Sequence, residues 1–371
     1  MKKKKLLFVF GTRPEALKMA PVIVAAKKDS RFSVRICFTG QHREMAQQVL
    51  DLFKIKPDHD LNVMRPNQSL ALLTERLMNK LDPVLCAEKP DVVLVQGDTT
   101  SAFVGALAAY YHKIPVAHIE AGLRSFDKYQ PFPEELNRAF VGKIAEWNFA
   151  PTKMAAQNLR QENTSPKSIY ITGNTVVDAL QSVQSKLKLS KSSHLKPVFE
   201  SGRKVIAVTT HRRENFGKPL VDICHGILEL AQKSPDIEIA WLLHLNPLVQ
   251  NTVRKMIRGK ARIHLLPPLG YLEFLTLMEQ SYFLISDSGG VQEEAPSFHK
   301  PVLVLRNVTE RPEGIKSGVA KLVGTDSKKI LRESLRLLNV PSSYKKMSFG
   351  KNPYGDGKTS ARILDILARS R

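Results

Sequence analysis

The sequence has no apolar run near the roughly 18 residues that cross a bilayer. Behind its basic first five residues stands only LLFVF at 6–10, too short for a signal-peptide core. A chain without an integral membrane segment, staying in the cytoplasm, is expected. Cysteine is scarce: Cys37, Cys86 and Cys224 stand apart among apolar neighbours, with no CxxC and no Cys/His ligand spacing. That pattern excludes a disulfide framework, implies no metal, and predicts buried structural thiols. A Gly-x-Gly-x-x-Gly turn is missing after the first apolar run, where nicotinamide-binding folds carry it, so no cofactor is implied. Acidic residues are also short, 35 against 56 lysines and arginines, a formal charge of +21. Such a surplus suits nucleic acid, an acidic membrane or an anionic small substrate. The basic residues are scattered through stretches such as SKLKLSKSSHLK at 185–196, with no aromatic-interleaved basic helix, and nucleic acid is not an expected partner.

What is present is ordinary globular composition, 43% hydrophobic and 25% charged, in 371 residues, more than one core sustains. Short β-branched or aliphatic runs alternate with amphipathic stretches, the pattern of parallel sheets covered by helices on both faces. The first half has runs at 6–10, 34–38, 92–95, 115–119, 147–150 and 168–172; the second restarts at 204–210, 237–243, 261–266, 282–286 and 301–305. The expected fold class is α/β: two Rossmann-like doubly wound domains, 1–180 and 204–355, around a Lys- and Ser-rich linker at 181–203. Ligands of such sheets sit beyond the carboxyl ends of the strands. A site in the cleft between the domains is therefore expected.

The residues after each run are unusually polar. In FGTRPEALKMAP, Gly11 allows a tight turn and Pro14 is preset for a first helical turn. The helix amides with Arg13 and Lys18 then make an anion site, or else an ordinary turn with surface cations. Asp98 in VVLVQGDTTSAF stands past a buried strand at a helix start, where an N-cap role would also explain it. Glu120 and Arg124 end another strand, and Glu134 and Glu135 open a Pro-started helix, Glu135 with the character of a dipole partner. Asp98, Glu120 and Glu134, from three separate strand-end segments, read as a general acid/base set. In the second half, His211, Arg212 and Arg213 follow a strand as a phosphate clamp, while His244 stays open between structure and function. The strongest element is LISDSGGVQEEAP. Gly289 and Gly290 let amides approach a pyrophosphate, Ser288 adds a hydroxyl, and Glu294 can accept from ribose hydroxyls. Arg311 supplies a further cation.

Taken in order, FGTRPEALKMAP, TGQHREM, GDTTSAF, HIEAGLR, PFPEELNR, ITGNTVVDAL, THRREN, HLNP, DSGGVQEEAP, TERPE and NPYGDG resemble the bacterial, non-hydrolysing UDP-N-acetylglucosamine 2-epimerases over nearly the whole chain. The resemblance implies the glycosyltransferase-B architecture, a C-terminal helix at 356–371 returning to the first domain, a homodimer, and UDP-N-acetylglucosamine and UDP-N-acetylmannosamine as ligands. By position it makes Asp98, Glu120, Glu134 and His211 the catalytic set. Arg13, Lys18, Leu269, Phe274, Ser288, Gly289, Gly290, Glu294 and Arg311 become the nucleotide-sugar contacts. Thr210 stands where many relatives have Gly, and Leu269 where some have Gln near the uracil. Some members bind a second UDP-N-acetylglucosamine as activator, near the positions of Gln41, Glu44, Gln68, Arg212 and His244, with Glu44 replacing a Gln seen in some of them.

The implied reaction is reversible epimerisation at carbon 2, for surface polysaccharide biosynthesis. The hydrogen on that carbon is not beside a carbonyl and is barely acidic, so the bond from carbon 1 to phosphate must break as the proton leaves. Charge then shifts onto UDP, where Arg13, His211, the Gly289 and Gly290 amides and Arg311 stabilise it. Anti elimination gives 2-acetamidoglucal. Re-adding UDP with protonation from the other face gives the epimer, which calls for more than one acid/base group. Keeping water from the glucal implies that the domains close. A hydrolysing epimerase, a glycosyltransferase of like architecture and a non-catalytic nucleotide-sugar binder stay open as readings.

Overall fold

Continuous apolar strands suit a parallel sheet buried on both faces. The structure, a computed structural model that describes residues 3–41, 43–187 and 192–370, gathers them into two units. The first comprises Met1–Ser182 with Tyr354–Arg371, the second Val183–Pro353.

The first unit is built on β1 (Lys4–Phe10), β2 (Phe32–Phe38), β3 (His59–Asp60), β4 (Val92–Gln96), β5 (Val116–Ile119), β6 (Trp147–Ala150) and β7 (Ile169–Ile171). Their order is β3-β2-β1-β4-β5-β6-β7, every pair parallel. The helix Leu70–Glu88 shows how the layers are covered: Leu73, Leu77, Leu81, Val84 and Leu85 form its buried stripe, and Ser69 caps it by accepting from the Leu72 N–H at 3.2 Å. Cys37 and Cys224 are buried as expected, but Cys86 is exposed. A step of about 100° per residue carries position 86 off the stripe that Leu85 ends, toward solvent.

The second unit repeats the plan with β8 (Lys204–Thr209), β9 (Ile237–Leu242), β10 (Ile263–Leu266), β11 (Phe283–Ser286), β12 (Val302–Val304) and β13 (Ala320–Leu322). The order is β10-β9-β8-β11-β12-β13, again all parallel. Trp241 of β9 and Phe283 of β11 share a core with Ile223, Ile227 and Leu230 of the helix Lys218–Lys233. The fold class is the α/β, doubly wound one that the sequence predicts. β3 and β13 fall outside the expected runs. With two and three residues at sheet edges, they carry no apolar run for a periodicity reading to register.

In both sheets the order reverses beside the first strand: β1 lies between β2 and β4, and β8 between β9 and β11. Connections leave these strands in opposite directions and open a crevice at their carboxyl ends. The segment 181–203 begins inside the helix Thr175–Val183, passes residues 188–191, which lie outside the described set, and ends with Leu195 and Val198 buried in the second unit. The C-terminal helix Thr359–Arg369 belongs to the first unit. Asp178 accepts from the N–H groups of Ser360 at 2.7 Å and Thr359 at 3.3 Å, and at the other end Lys4 Nζ donates to the Leu367 carbonyl at 2.8 Å. Among the described residues no helix is long and apolar enough to cross a membrane.

Asp178 caps that helix from outside it. Asp178→Ala is expected to lower the unfolding free energy of the first unit by about 1–2 kcal/mol and to raise hydrogen exchange at 359–362. Unchanged protection there would show that the cap contributes nothing.

Candidate active site

The turn from β1 into the helix Arg13–Lys28 closes on a buried carboxylate. Glu15 accepts from the N–H groups of Gly11 at 3.0 Å and Thr12 at 2.8 Å, and from Thr99 Oγ1, beyond β4, at 2.6 Å. It thus bridges the two strands where the order reverses. Burial pushes its carboxyl up to about 7, and the hydrogen bonds offset only part of that. Gly11 has no room for a side chain, since a Cβ would run into Thr39 Oγ1 and lie 2.7 Å from Ser101 Oγ. Arg13 is half-buried at the helix start, and Lys18 is buried in an ion pair with Glu120.

Glu120 follows β5 directly with φ of 67°, left-handed backbone that a non-glycine holds only where its surroundings impose it. Asn174, beyond β7, donates its Nδ2 to the same carboxylate at 3.1 Å. Asp98 is not a helix cap. Thr99 fills that role, accepting from the Ala102 N–H at 3.1 Å. Asp98 instead accepts from Arg138 at 2.5 Å, on the helix Glu134–Ile144 that Glu134 opens. Glu135 is more than a dipole partner: its Oε1 accepts from the Ser125 and Phe126 N–H groups at 3.0 and 2.9 Å, fixing the loop after β5. Arg124 is committed to Glu162, at 2.6 and 2.7 Å. Burial, reinforced by Arg124 and Arg138, lowers the His118 imidazole to about 3; it is neutral and donates Nε2–H to the Gly97 carbonyl at 2.7 Å.

In the second unit the corresponding gap, between β8 and β11, holds Asp287, which is 0% exposed. It accepts from the N–H groups of His211 at 3.0 Å and Arg212 at 3.0 Å, from Asn215 Nδ2 at 3.0 Å, and lies 3.0 Å from His211 Nδ1. Burial pushes its carboxyl up, but His211 and the backbone donors outweigh it and hold the group below its ordinary value. The His211 ring stands 5.9 Å from that of His244, whose imidazole is lowered by burial and then by the charge of His211. Thr210 is buried, its hydroxyl accepting from Trp241 Nε1 at 3.3 Å, so the departure from glycine is absorbed.

Ser288 stands before the helix Gly289–Glu294, with Gly290 exposed. The Arg311 guanidinium lies on Gly289, where a Cβ would come within 2.5 Å of its nitrogen. Arg311 is held by Glu293 and Glu310, each at 2.7 Å. Glu310 also takes Arg212 at 3.2 Å and Arg306 at 2.5 Å; against the effect of burial, these three guanidiniums hold its carboxyl well below the usual range. Glu294 is buried and accepts from the Tyr271 hydroxyl at 3.3 Å. Leu269 is buried and Phe274 half-buried nearby in sequence. Of the activator positions, Gln41 accepts from Ser101 Oγ at 2.8 Å and Gln68 from Arg76 at 2.7 Å, both in the first unit. Arg212 and His244 belong to the second, and the side chains of Glu44 and Arg213 lie outside the described residues.

Sequence reasoning missed Glu15, Arg138, Asp287, Arg306 and Glu310. Asp287 carried a signal, an acid directly behind an all-apolar strand. Arg138 and Glu310 carried none, because their partners are distant in sequence. Asp82, Cys86 and His112 bring three donor atoms within 4.8 Å of one another, at helix ends that lead into β4 and β5, the sheet edge away from these residues.

Two doubly wound units with buried carboxylates, a histidine and arginine clusters at their switch points define an α/β enzyme of the glycosyltransferase-B class. The chain belongs to the UDP-N-acetylglucosamine 2-epimerase family, whose sequence model matches residues 24–368. It is 47% identical over 372 residues to the UDP-N-acetylglucosamine 2-epimerase of Escherichia coli K12, covering 99% of both chains. A crystal structure of the Neisseria meningitidis enzyme bound to UDP-GlcNAc has a TM-score of 0.92 at 47% identity, covering 99% of this chain and 100% of that one. The Methanocaldococcus jannaschii enzyme, in complex with UDP-GlcNAc and UDP, has a TM-score of 0.82 at 35% identity with full coverage of both.

Glu15 folds with a raised pKa, so its protonated form is favoured in the native state. Stability contributed by that proton is fully present below the unfolded value, near 4.5, and is lost as pH rises toward about 7, a change on the order of 3 kcal/mol. Glu15→Gln is expected to flatten the fall in stability across that window in denaturant titrations. An equal slope in both proteins would refute the assignment.

Proposed function

We propose that this protein interconverts UDP-N-acetylglucosamine and UDP-N-acetylmannosamine without hydrolysis, by anti elimination of UDP and re-addition through 2-acetamidoglucal. Family membership over nearly the whole chain carries the reading. The geometry at the carboxyl ends of the strands supports it. In this account the carbon 2 proton passes to a carboxylate while the bond from carbon 1 to oxygen breaks, its electron pair going to the diphosphate. Re-addition reverses both events on the opposite face of the sugar, which is why Asp98, Glu120 and Glu134 share the proton transfers. Lys18 pairs with Glu120 and Arg138 with Asp98, so each of these carboxylates is held beside a cation.

The second unit takes the nucleotide. The Gly289 and Gly290 amides with Ser288, His211 and Arg311 receive the charge that develops on the diphosphate. Glu294 receives the ribose, and Leu269 and Phe274 the base. In the first unit, Arg13 is a nucleotide-sugar contact. Gln41, Glu44, Gln68, Arg212 and His244 are the positions for an activating second UDP-N-acetylglucosamine. The enzyme works in the cytoplasm, supplying cell-envelope polysaccharide synthesis. A homodimer is supported by exposed aromatic side chains of the first unit, Phe140, Tyr110 and Tyr111, which are 50%, 60% and 66% exposed.

Proton NMR of UDP-N-acetylglucosamine with the protein in heavy water is expected to give intact UDP-N-acetylmannosamine, deuterated at carbon 2. Free N-acetylmannosamine with stoichiometric UDP would point to a hydrolysing enzyme, and an unchanged spectrum would sink the reading. Asp98→Asn, Glu120→Gln and Glu134→Gln are each expected to slow deuterium wash-in by about 10²- to 10⁴-fold; full activity in all three would remove the carboxylates from the mechanism. Light scattering is expected to give twice the chain mass, falling to one chain in Tyr110→Asp/Phe140→Asp. A monomeric wild type would dispose of the dimer.

A further inference from the structure

A histidine serves as acid or base only when the correct nitrogen carries the proton and the ring is held in place. In His211 one nitrogen is already committed, since Nδ1 lies 3.0 Å from Asp287 Oδ1. Asp287 is wholly buried, and its remaining partners are all donors: the backbone N–H groups of His211 and Arg212 and the Asn215 side-chain amide. A carboxylate ringed by donors has no proton of its own to offer, so Nδ1 carries the hydrogen in this bond and Nε2 is the nitrogen left for a ligand. The two residues stand directly behind β8 and β11, neighbouring strands at the switch point of their sheet. Among the described residues, Arg212, tied to Glu310 at 3.2 Å, and His244, whose ring is 5.9 Å from that of His211, are charged or titratable groups about the pair.

We propose that Asp287 is the positioning residue of His211: it fixes the Nδ1–H tautomer and the ring plane, so that Nε2 meets the diphosphate of the departing UDP. This rests on the epimerase reading above. Because Nδ1–H is held against Asp287, the ring takes its second proton at Nε2 before the bond from carbon 1 breaks; as that bond's electron pair moves onto a diphosphate oxygen, Nε2–H is donated to it. Asp287 stabilises the imidazolium throughout. The proton stays on Nε2, so in re-addition the same oxygen attacks carbon 1 with the same partner in place. A carboxylate that only braced the loop 210–215 would need neither the ionised form nor contact with Nδ1.

Asp287→Asn separates the two roles. The amide oxygen can still accept from Arg212 N–H and Asn215, holding the loop, while the amide nitrogen faces Nδ1 and forces the proton onto Nε2. Long-range nitrogen-15 NMR of the full-length enzyme, with the His211 signals assigned by their loss in His211→Gln, is expected to show the Nδ1–H tautomer of the neutral ring in wild type and the Nε2–H tautomer in Asp287→Asn. In the same variant kcat is expected to fall on the order of 10³-fold, with KM for UDP-N-acetylglucosamine within about threefold. A wild-type ring in the Nε2–H form overturns the proposal, as does a variant that keeps kcat. Should the variant fail to fold, the wild-type tautomer decides alone. Failure of the wild type to epimerise would sink the epimerase reading instead, and the tautomer would still be read.

Discussion

An open parallel sheet leaves a gap beyond the two strands where its order reverses. Loops depart in opposite directions, and their backbone N–H groups point into a space that no chain crosses. In both units a buried carboxylate fills that space. Glu15 ties the turn after β1 to Thr99 beyond β4, and Asp287, beyond β11, ties down the turn after β8 through His211 and Arg212. Arg13 follows the first of these turns and His211 stands on the second. The two acids are poised oppositely: Glu15 is pushed up by burial, whereas Asp287, against His211, is held down. One plan thus yields a near-neutral brace in one unit and a charged one in the other.

Around these braces lie charges that folding alone does not call for. Taking a lysine and a glutamate out of water costs several kcal/mol per ion, repaid only by good geometry, yet Lys18 and Glu120 are both buried against each other. Glu120 also holds a left-handed φ, a further cost of about 1–3 kcal/mol. In the second unit Glu310 gathers Arg212, Arg306 and Arg311, which keeps cations in place at a strand-end edge without requiring a bound anion. Such departures from the cheapest arrangement collect at sites rather than in cores. The cores themselves are plain, as in the packing of Trp241 and Phe283 against a leucine and isoleucine helix face.

Much of this is legible in the sequence. Apolar runs marked eleven strand positions because parallel strands buried on both faces leave continuous hydrophobic segments. β3 and β13 escaped because edge strands of two or three residues need no such run. Glycines mattered where the backbone must be approached, at Gly11 under Thr39 and at Gly289 under Arg311, and both positions stood out in turns behind strands. The polar residues of those turns were likewise visible as candidates, since strand-end placement follows from strand assignment.

By itself the sequence determined the fold class, the polar turns at the carboxyl ends of the strands, and the types of group found there, because those depend on local pattern and on topology rules that follow from it. Only the tertiary structure decided partners and protonation. That Asp98 meets Arg138 rather than capping its helix, that Cys86 faces solvent, and that Asp287 grips His211 across 76 positions are outcomes of packing between distant segments. Burial and neighbouring charge set the state of an ionisable group, and neither exists until the chain has closed on itself.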